Sequence, residues 1–318
     1  MQKQNINIVV VGSVNSGKST WTGVMVSGEL DDGNGYARSH VAKHPHELIT
    51  KRTSDISTKC IELQDKQINL VDLCGHRPYL KTTIYGMLGT FPDYAILVIS
   101  ANKGILEMTL EHIRVLLVMR IPFVIIITKI DSIDTNEKIY NETIHSIKKH
   151  LSKYRTLAFI NTFKDFSENK NADDTLIKES IQKYAGIIKD NHMLVPVISL
   201  SNKTGYFIDV SRTLLYSLEP NLKWDNKIDG SIFYIDTVFN PEGIGIVVTG
   251  KLKGNNIKVG SELMLGPYGN NFIQTKVWSI HDSNRNKIDE LSNKQYGCFA
   301  LRILDKKLNF TRHNIKKV

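Results

Sequence analysis

An α/β domain, with a mostly parallel sheet flanked by helices, followed by a small antiparallel β-barrel is the architecture this sequence predicts. Three observations carry it. A glycine-rich motif directly follows the first apolar run, short apolar runs alternate with helix-period segments from Ile6 to about Pro220, and the texture then changes to Gly-punctuated short runs. The chain has 318 residues, enough for about two domains, and its 41% apolar content is that of an ordinary globular protein. No apolar run approaches the ~20 residues of a bilayer span, and Gly12 breaks the first strand too early for a secretory signal. A cytoplasmic protein with no membrane partner is expected. Cys60, Cys74 and Cys298 are odd in number, widely spaced and free of Cys-x-x-Cys pairs, so neither a disulfide framework nor a zinc ribbon is suggested and a reducing compartment fits.

In chain order, the apolar runs Ile6–Val11, Gln67–Asp72, Tyr94–Ser100, Pro122–Thr128 and Leu194–Leu200 read as strands of the parallel sheet. The segment Glu137–Leu151 places Tyr140, Ile144, Ile147 and Leu151 on one helical face, which is core packing. Between Leu151 and Met193 the sequence is polar and irregular, including Asn169–Asp174, and reads as a surface insertion. A boundary near Asn221–Asp229 divides the chain into residues 1–224 and 225–318. Beyond it, Ser231–Val238, Gly245–Lys251, Ser261–Leu265, Phe272–Ile280 and Phe299–Ile303 have the length and spacing of barrel strands. There is no internal repeat.

The residues Gly12-Ser13-Val14-Asn15-Ser16-Gly17-Lys18-Ser19, with Thr20 following, spell Gly-x4-Gly-Lys-Ser after Ile6–Val11, in the strand, loop and helix-start context of a nucleotide phosphate site. Glycines let backbone N–H groups turn inward around phosphate oxygens, and the helix that follows presents its positive end. Lys18 would reach the terminal phosphates, and the Ser19 hydroxyl would hold Mg²⁺.

This motif leaves ATP and GTP both open, and three further motifs narrow the choice. Thr128-Lys129-Ile130-Asp131 follows the strand residues Pro122–Ile127. A carboxylate at Asp131 accepts from the guanine N1–H and 2-amino group, whereas adenine offers no such donor pair; Lys129 would lie along the base. Asp72-Leu73-Cys74-Gly75-His76 ends another apolar run, and Ser201-Asn202-Lys203 ends a third. All four motifs lie at strand ends on one edge of a parallel sheet, where such sheets bind ligands. Their order resembles that of P-loop GTPases. The resemblance implies that Asp72 orients the water shell of Mg²⁺, that Gly75 offers a backbone N–H to the γ-phosphate, and that Ser201-Asn202-Lys203 is the loop touching guanine.

The run Val71-Asp72-Leu73-Cys74-Gly75-His76-Arg77-Pro78-Tyr79-Leu80-Lys81-Thr82-Thr83 resembles the translational GTPases, whose Asp-x-x-Gly-His motif places a histidine where Ras-like proteins use glutamine. More specifically it is similar to the branch called GTP-binding proteins one and two, in its Gly-His-x-x-Tyr-Leu-Lys-Thr-Thr run, in His44–Glu47 followed by Arg52-Thr53-Ser54, and in Thr128–Asp131. The segment Gly243–Gly250 resembles the second domain of elongation-factor GTPases. The resemblance implies that His76 positions the attacking water and that Thr53 is the metal-binding threonine of the first switch. Arg52 departs from the family by standing where an apolar residue would screen the histidine. Asn15 stands where many translational GTPases carry Asp, and its oxygen would help hold K⁺ beside the phosphates. Members that deliver aminoacyl-tRNA normally carry a further barrel, so that full function is not expected here.

The formal charge of +9 is uneven: residues 228–318 carry 13 Lys/Arg against 8 Asp/Glu. In the tail from Leu301 to Val318, Arg302, Lys306, Lys307, Arg312, Lys316 and Lys317 face only Asp305, a pattern equally suited to tracking a phosphate backbone or to a solvated terminus. His40, His44 and His46 lack a fourth defined zinc ligand and fit better as decoration of the first switch, beside Gly33 and Gly35. The expected function is Mg²⁺-dependent hydrolysis of GTP to GDP and phosphate by a monomer whose switches report nucleotide state to a ribosome or RNA. An RNA-associated GTP-sensing module with vestigial hydrolysis is the alternative; an ATPase is a third reading, against which Asp131 stands.

Overall fold

The structure, a computed structural model, describes residues 4–42, 57–133, 136–168, 175–221, 230–268, 271–282, 286–293, 295–305 and 315. The chain divides into two compact units, one of residues 1–88 and 92–221, the other of residues 222–318 together with Gly89–Phe91.

In the first unit the elements run β1 (Gln4–Val11), α1 (Lys18–Ser27), α2 (Tyr36–Ser39), β2 (Ser57–Glu62), β3 (Lys66–Asp72), α3 (Leu80–Gly89), β4 (Tyr94–Ser100), α4 (Glu107–Val118), β5 (Phe123–Thr128), α5 (Glu137–Leu151), β6 (Thr156–Phe159), α6 (Phe163–Ser167), α7 (Thr175–Asp190), β7 (Leu194–Ser199) and α8 (Ile208–Ser217). The sheet has the order β2-β3-β1-β4-β5-β7-β6. Every pairing is parallel except β2 with β3. The central strands are near-continuous apolar runs because helices cover both faces: all seven residues of β4 and all six of β5 are buried. On one face Ile8, Val10, Ile96, Val98 and Ile126 pack with Trp21 of α1 and Leu214 of α8. On the other, Val9, Val11, Leu97, Ile99 and Ile125 pack with Ile113 and Leu116 of α4 and Tyr140 and Ile147 of α5.

Two details differ from the sequence expectations. Where it is described, the stretch between Leu151 and Met193 is no irregular insertion: it supplies the edge strand β6, paired in parallel with β7, and the helices α6 and α7, while Asn169–Asp174 lie outside the described residues. Its signal is weak because an edge strand of four residues is only partly buried and needs no apolar run. The reading of α5 holds for Tyr140, Ile147 and Leu151, which are buried; Thr143 joins them, its hydroxyl donating to the Ala101 carbonyl.

A buried aspartate ties the unit together. The Asp93 carboxylate, 1% exposed, accepts the Asn7 N–H at 2.8 Å and the Asn221 N–H at 3.0 Å. It thus joins β1, the entry to β4 and the last described residue of the unit. Asp93→Ala leaves two buried donors unmatched and should lower stability by about 3 kcal/mol. Urea unfolding of the two proteins measures this, and coincident midpoints would show that the bonds contribute nothing net.

The second unit contains β8 (Ser231–Phe239), β9 (Ile246–Gly254), β10 (Ile257–Lys258), β11 (Glu262–Tyr268), β12 (Asn271–Asp282), β13 (Lys287–Ile288), β14 (Glu290–Leu291) and β15 (Tyr296–Ile303). Its antiparallel sheet runs β11-β12-β15-β9-β8, with β13 on β12, as a half-barrel around Val248, Leu252, Val277, Ile280 and Phe299. Alternation is clearest in β12, where Ile273, Thr275 and Val277 point inward. The α/β domain and the barrel-type second domain therefore match the architecture expected from sequence.

Candidate nucleotide site

A cavity of about 680 Å³ opens at the C-terminal edge of the parallel strands, where β1, β3, β5 and β7 end. That size suits a nucleotide-sized ligand. Its described lining carries five cationic side chains, Lys18, Arg38, Lys103, Lys129 and Lys203, against the carboxylates of Asp31 and Asp131. Such a surplus favours a polyanion.

The loop from Gly12 to Gly17 turns tightly between β1 and α1. Gly12 has φ +145° and Gly17 φ +95°, and a Cβ on Gly12 would lie 2.2 Å from the Val98 carbonyl oxygen. Only glycine fits there. The N-terminus of α1 faces the cavity through Gly17, Lys18, Ser19 and Thr20, with Val14 and Asn15 on the rim. Ser13 and Ser16 are buried within the loop. Lys18 is buried, and its ammonium donates to the Ser13 carbonyl at 2.9 Å. Burial pushes its pKa below the usual lysine value, while the nearby Asp72 carboxylate opposes that shift.

The Ser19 hydroxyl donates to the fully buried Asp72 carboxylate at 2.5 Å. This pair of hard oxygens, one at the start of α1 and one at the end of β3, fits the donor set of a Mg²⁺ site. Gly75 and His76 line the same end of the cavity as Lys18. A Cβ on Gly75 would approach the Gly12 carbonyl oxygen to 2.4 Å and the Lys18 ammonium to 2.7 Å. His76 leads into the short turn Arg77–Tyr79, and its Nδ1 is buried with no hydrogen-bond partner among the described residues. Thr53, Arg52, His44 and His46 lie outside the described residues, as do Lys306, Lys307, Arg312, Lys316 and Lys317. His40 stacks edge-on with Tyr36 at 5.2 Å.

At the other end, β5 delivers Thr128, Lys129 and Asp131. The Thr128 hydroxyl donates to the Ser16 carbonyl at 2.5 Å, and the Lys129 ammonium donates to the Asn15 carbonyl at 2.9 Å. Lys129 adopts φ +61°, and its pKa is lowered by burial and by Lys103, with Asp131 acting the other way. Asp131 lines the cavity from the turn Ile130–Ile133. After β7, the buried Ser201 hydroxyl accepts the N–H groups of Lys203 and Thr204, at 3.2 and 3.1 Å, which shapes the loop that brings Asn202 and Lys203 to the cavity. Every predicted nucleotide residue that the structure describes is thus in one place, on the cavity or in the loops that form it.

Sequence reasoning missed Asp31, Arg38 and Lys103. Asp31 donates its N–H to the Asn202 carbonyl at 2.9 Å and accepts the Ala37 N–H at 3.0 Å, so residues 31–37 fold over the Asn202 loop. Asp32 takes the N–H groups of Asn34, Gly35 and Tyr36, which hold its carboxyl below the usual range. Lys103 follows β4, a strand end at the same sheet edge; examining every such end would have found it.

Comparison with known proteins agrees with this geometry. The family described as elongation factor Tu GTP binding domain matches residues 3–240. GTP-binding protein 1 of Xenopus laevis is 31% identical over 325 residues, covering 93% of this chain and 47% of the relative. GTP-binding protein 2 of Homo sapiens is 30% identical over 333 residues, covering 96% and 52%. The chain spans about half the length of the curated relatives it matches. Among solved structures, translation elongation factor SelB from Methanococcus maripaludis in complex with the GTP analogue GppNHp shares the fold, with a TM-score of 0.63 and 22% identity over 98% of this chain and 54% of that one. A bacterial selenocysteine-specific elongation factor EF-Sec gives 0.65 and 19% over 96% and 43%.

Proposed function

Because the chain belongs to the elongation factor Tu GTP-binding domain family of translational GTPases, we propose that it binds GTP in this cavity and hydrolyses it to GDP and phosphate. The observation that carries the reading is the joining of the Thr128–Asp131 motif to the Gly12–Ser19 loop through the Ser16 and Asn15 carbonyls, with Asp131 and that loop lining one cavity. The domains divide as residues 1–224, the nucleotide domain, and 225–318, the barrel.

In this reading Lys18 and the loop N–H groups from Ser13 to Ser19, with Thr20, grip the phosphates where Gly12 lets the loop turn, and Gly75 meets the terminal one. Ser19, Thr53 and, through water, Asp72 hold Mg²⁺, which when bound neutralises charge on the phosphates. The Asn15 side chain would add an oxygen for K⁺. Thr128, Lys129 and Asp131 read the base, supported by Ser201, Asn202 and Lys203. His76 orients a water for in-line attack on the γ-phosphorus; its O–P bond forms as the bond to the GDP oxygen breaks. Phosphoryl transfer depends on positioning and electrostatics, so His76 need not be a strong base.

The likeness to elongation factors supports a ribosome or RNA as partner. A partner that accelerates turnover ~10⁵-fold removes about 7 kcal/mol from the barrier. The test is GTP hydrolysis by the purified protein with and without ribosomes, with ATP as competitor and with Mg²⁺ removed by EDTA. Turnover that is GTP-selective, EDTA-sensitive and ribosome-stimulated is expected; equal use of ATP would sink the nucleotide assignment.

A second reading, an RNA-associated GTP sensor with vestigial hydrolysis, draws on the second unit. There Trp278 is 54% exposed with the Arg302 guanidinium over its ring, a pairing of cation and aromatic surface that suits unstacked bases. Steeply salt-dependent RNA binding without stimulated turnover would favour it.

A further inference from the structure

We propose that His112 of α4 is a positioning residue that fixes the Gly12 peptide and thereby sets how well the site tells a nucleoside triphosphate from a diphosphate. The proposal rests on the nucleotide reading above. His112 lies outside all four sequence motifs. Its side chain is fully buried, and its Nδ1 accepts the Gly12 N–H at 3.1 Å. An acceptor at Nδ1 places the ring proton on Nε2, which is buried with no hydrogen-bond partner among the described residues. A leucine would fill similar space without an unmatched N–H. Packing therefore does not account for a histidine here, and the bond to Gly12 does.

The ring is neutral. Burial and the Lys18 charge push its pKa down to about 3, so it remains an acceptor throughout the physiological range. A protonated ring would present a second N–H to the Gly12 amide and add a charge near Lys18.

Gly12 is where this anchorage has leverage. Behind it, the 2.2 Å that a Cβ would leave to the Val98 carbonyl presses the residue against β4. On its other side the Gly12 carbonyl faces Gly75, whose Cβ, if present, would approach it to 2.4 Å. Gly12 is thus held from its N–H side by His112 and contacted at its carbonyl by the glycine proposed to meet the terminal phosphate. Freeing the N–H lets this residue rotate and shifts the surface on which Gly75 seats. The backbone N–H groups that grip the inner phosphates, from Gly17 onward along α1, are held by the helix itself. The triphosphate should therefore suffer more than the diphosphate.

The test measures dissociation of fluorescent mant-GDP and mant-GppNHp from the 318-residue chain and from His112→Leu and His112→Asn. The leucine variant should release mant-GppNHp about tenfold faster and mant-GDP less than about threefold faster. Asparagine places an oxygen near the position of Nδ1 and should bring the mant-GppNHp rate back to within about threefold of the parent. An unchanged ratio of the two rates in the leucine variant, or a loss in the asparagine variant equal to that in leucine, overturns the proposal. Nitrogen-15 NMR of the parent's histidine rings supplies a check independent of variant folding: His112 should show a bare Nδ1 and a protonated Nε2, and the opposite tautomer overturns the bond. Failure of the parent to bind either nucleotide would instead strike the nucleotide reading, while the ring nitrogens would still report on Gly12.

Discussion

Asp131→Asn should weaken GTP binding about a thousandfold and make xanthosine triphosphate the preferred ligand. In the proposed site the carboxylate would accept two hydrogen bonds from guanine, at N1–H and at the 2-amino group. Each bond to a charged acceptor contributes roughly 1.5–3 kcal/mol, so opposing one with a donor and removing the charge from the other corresponds to about 3–6 kcal/mol. The asparagine amide turns one of its two polar atoms into a donor that opposes the 2-amino group. Xanthine carries a carbonyl at that position and keeps N1–H, so it matches the amide atom for atom. The position is favourable for such an exchange, because Asp131 lies in a short turn just after a fully buried strand. Direct titration of parent and variant with mant-GTP and with mant-xanthosine triphosphate reads the outcome. A variant that still prefers GTP would mean that Asp131 does not touch the base, and would reopen an ATPase.

His76→Ala should leave GTP affinity within about threefold and reduce ribosome-stimulated turnover by roughly 10²–10⁴. The separation of the two effects follows from location. His76 lies at the end of the cavity occupied by Gly75 and Lys18, while the base motif is held at the other end by Thr128 and Lys129. Its Nδ1 is buried and unpartnered among the described residues, so no hydrogen bond from that atom commits the ring to the resting site. His76→Gln, which keeps a hydrogen-bonding tip, should retain part of the stimulated rate. Normal stimulated turnover in the alanine variant would refute the role. Equal losses in affinity and rate would make His76 a binding residue instead.

The legible parts of this molecule were those in which chemistry demands a residue type at a fixed spacing. Gly12 and Gly17 must be glycine because of their backbone angles, and Lys18, Asp72 and Asp131 follow buried strands whose apolar runs mark where they stop. The edge strand Thr156–Phe159 escaped notice because four half-exposed residues carry no period to read. The antiparallel strand Ser57–Glu62 was missed for a related reason: it mixes Ser, Thr, Lys and Glu with two apolar positions. His112 was invisible for a third reason. Nothing in the helix Glu107–Val118 distinguishes a core histidine from one that holds a loop 100 residues away in sequence. Long-range partnerships of single side chains are set by tertiary structure, and a lone sequence does not encode them as a pattern.

The two hydrogen bonds from Thr128 and Lys129 to the carbonyls of Ser16 and Asn15 tie the Thr128–Asp131 segment to the loop from Gly12 to Gly17. If these are the base and phosphate loops, a nucleoside that orders one should help to order the other, and pyrophosphate should do the reverse. The two fragments should accordingly reinforce one another's binding by the same factor in either order. Joined in one molecule they gain further from having a single orientation to lose. Guanosine without phosphates should therefore be a far poorer ligand than its share of the contacts implies, and the cavity should fill and empty in single steps.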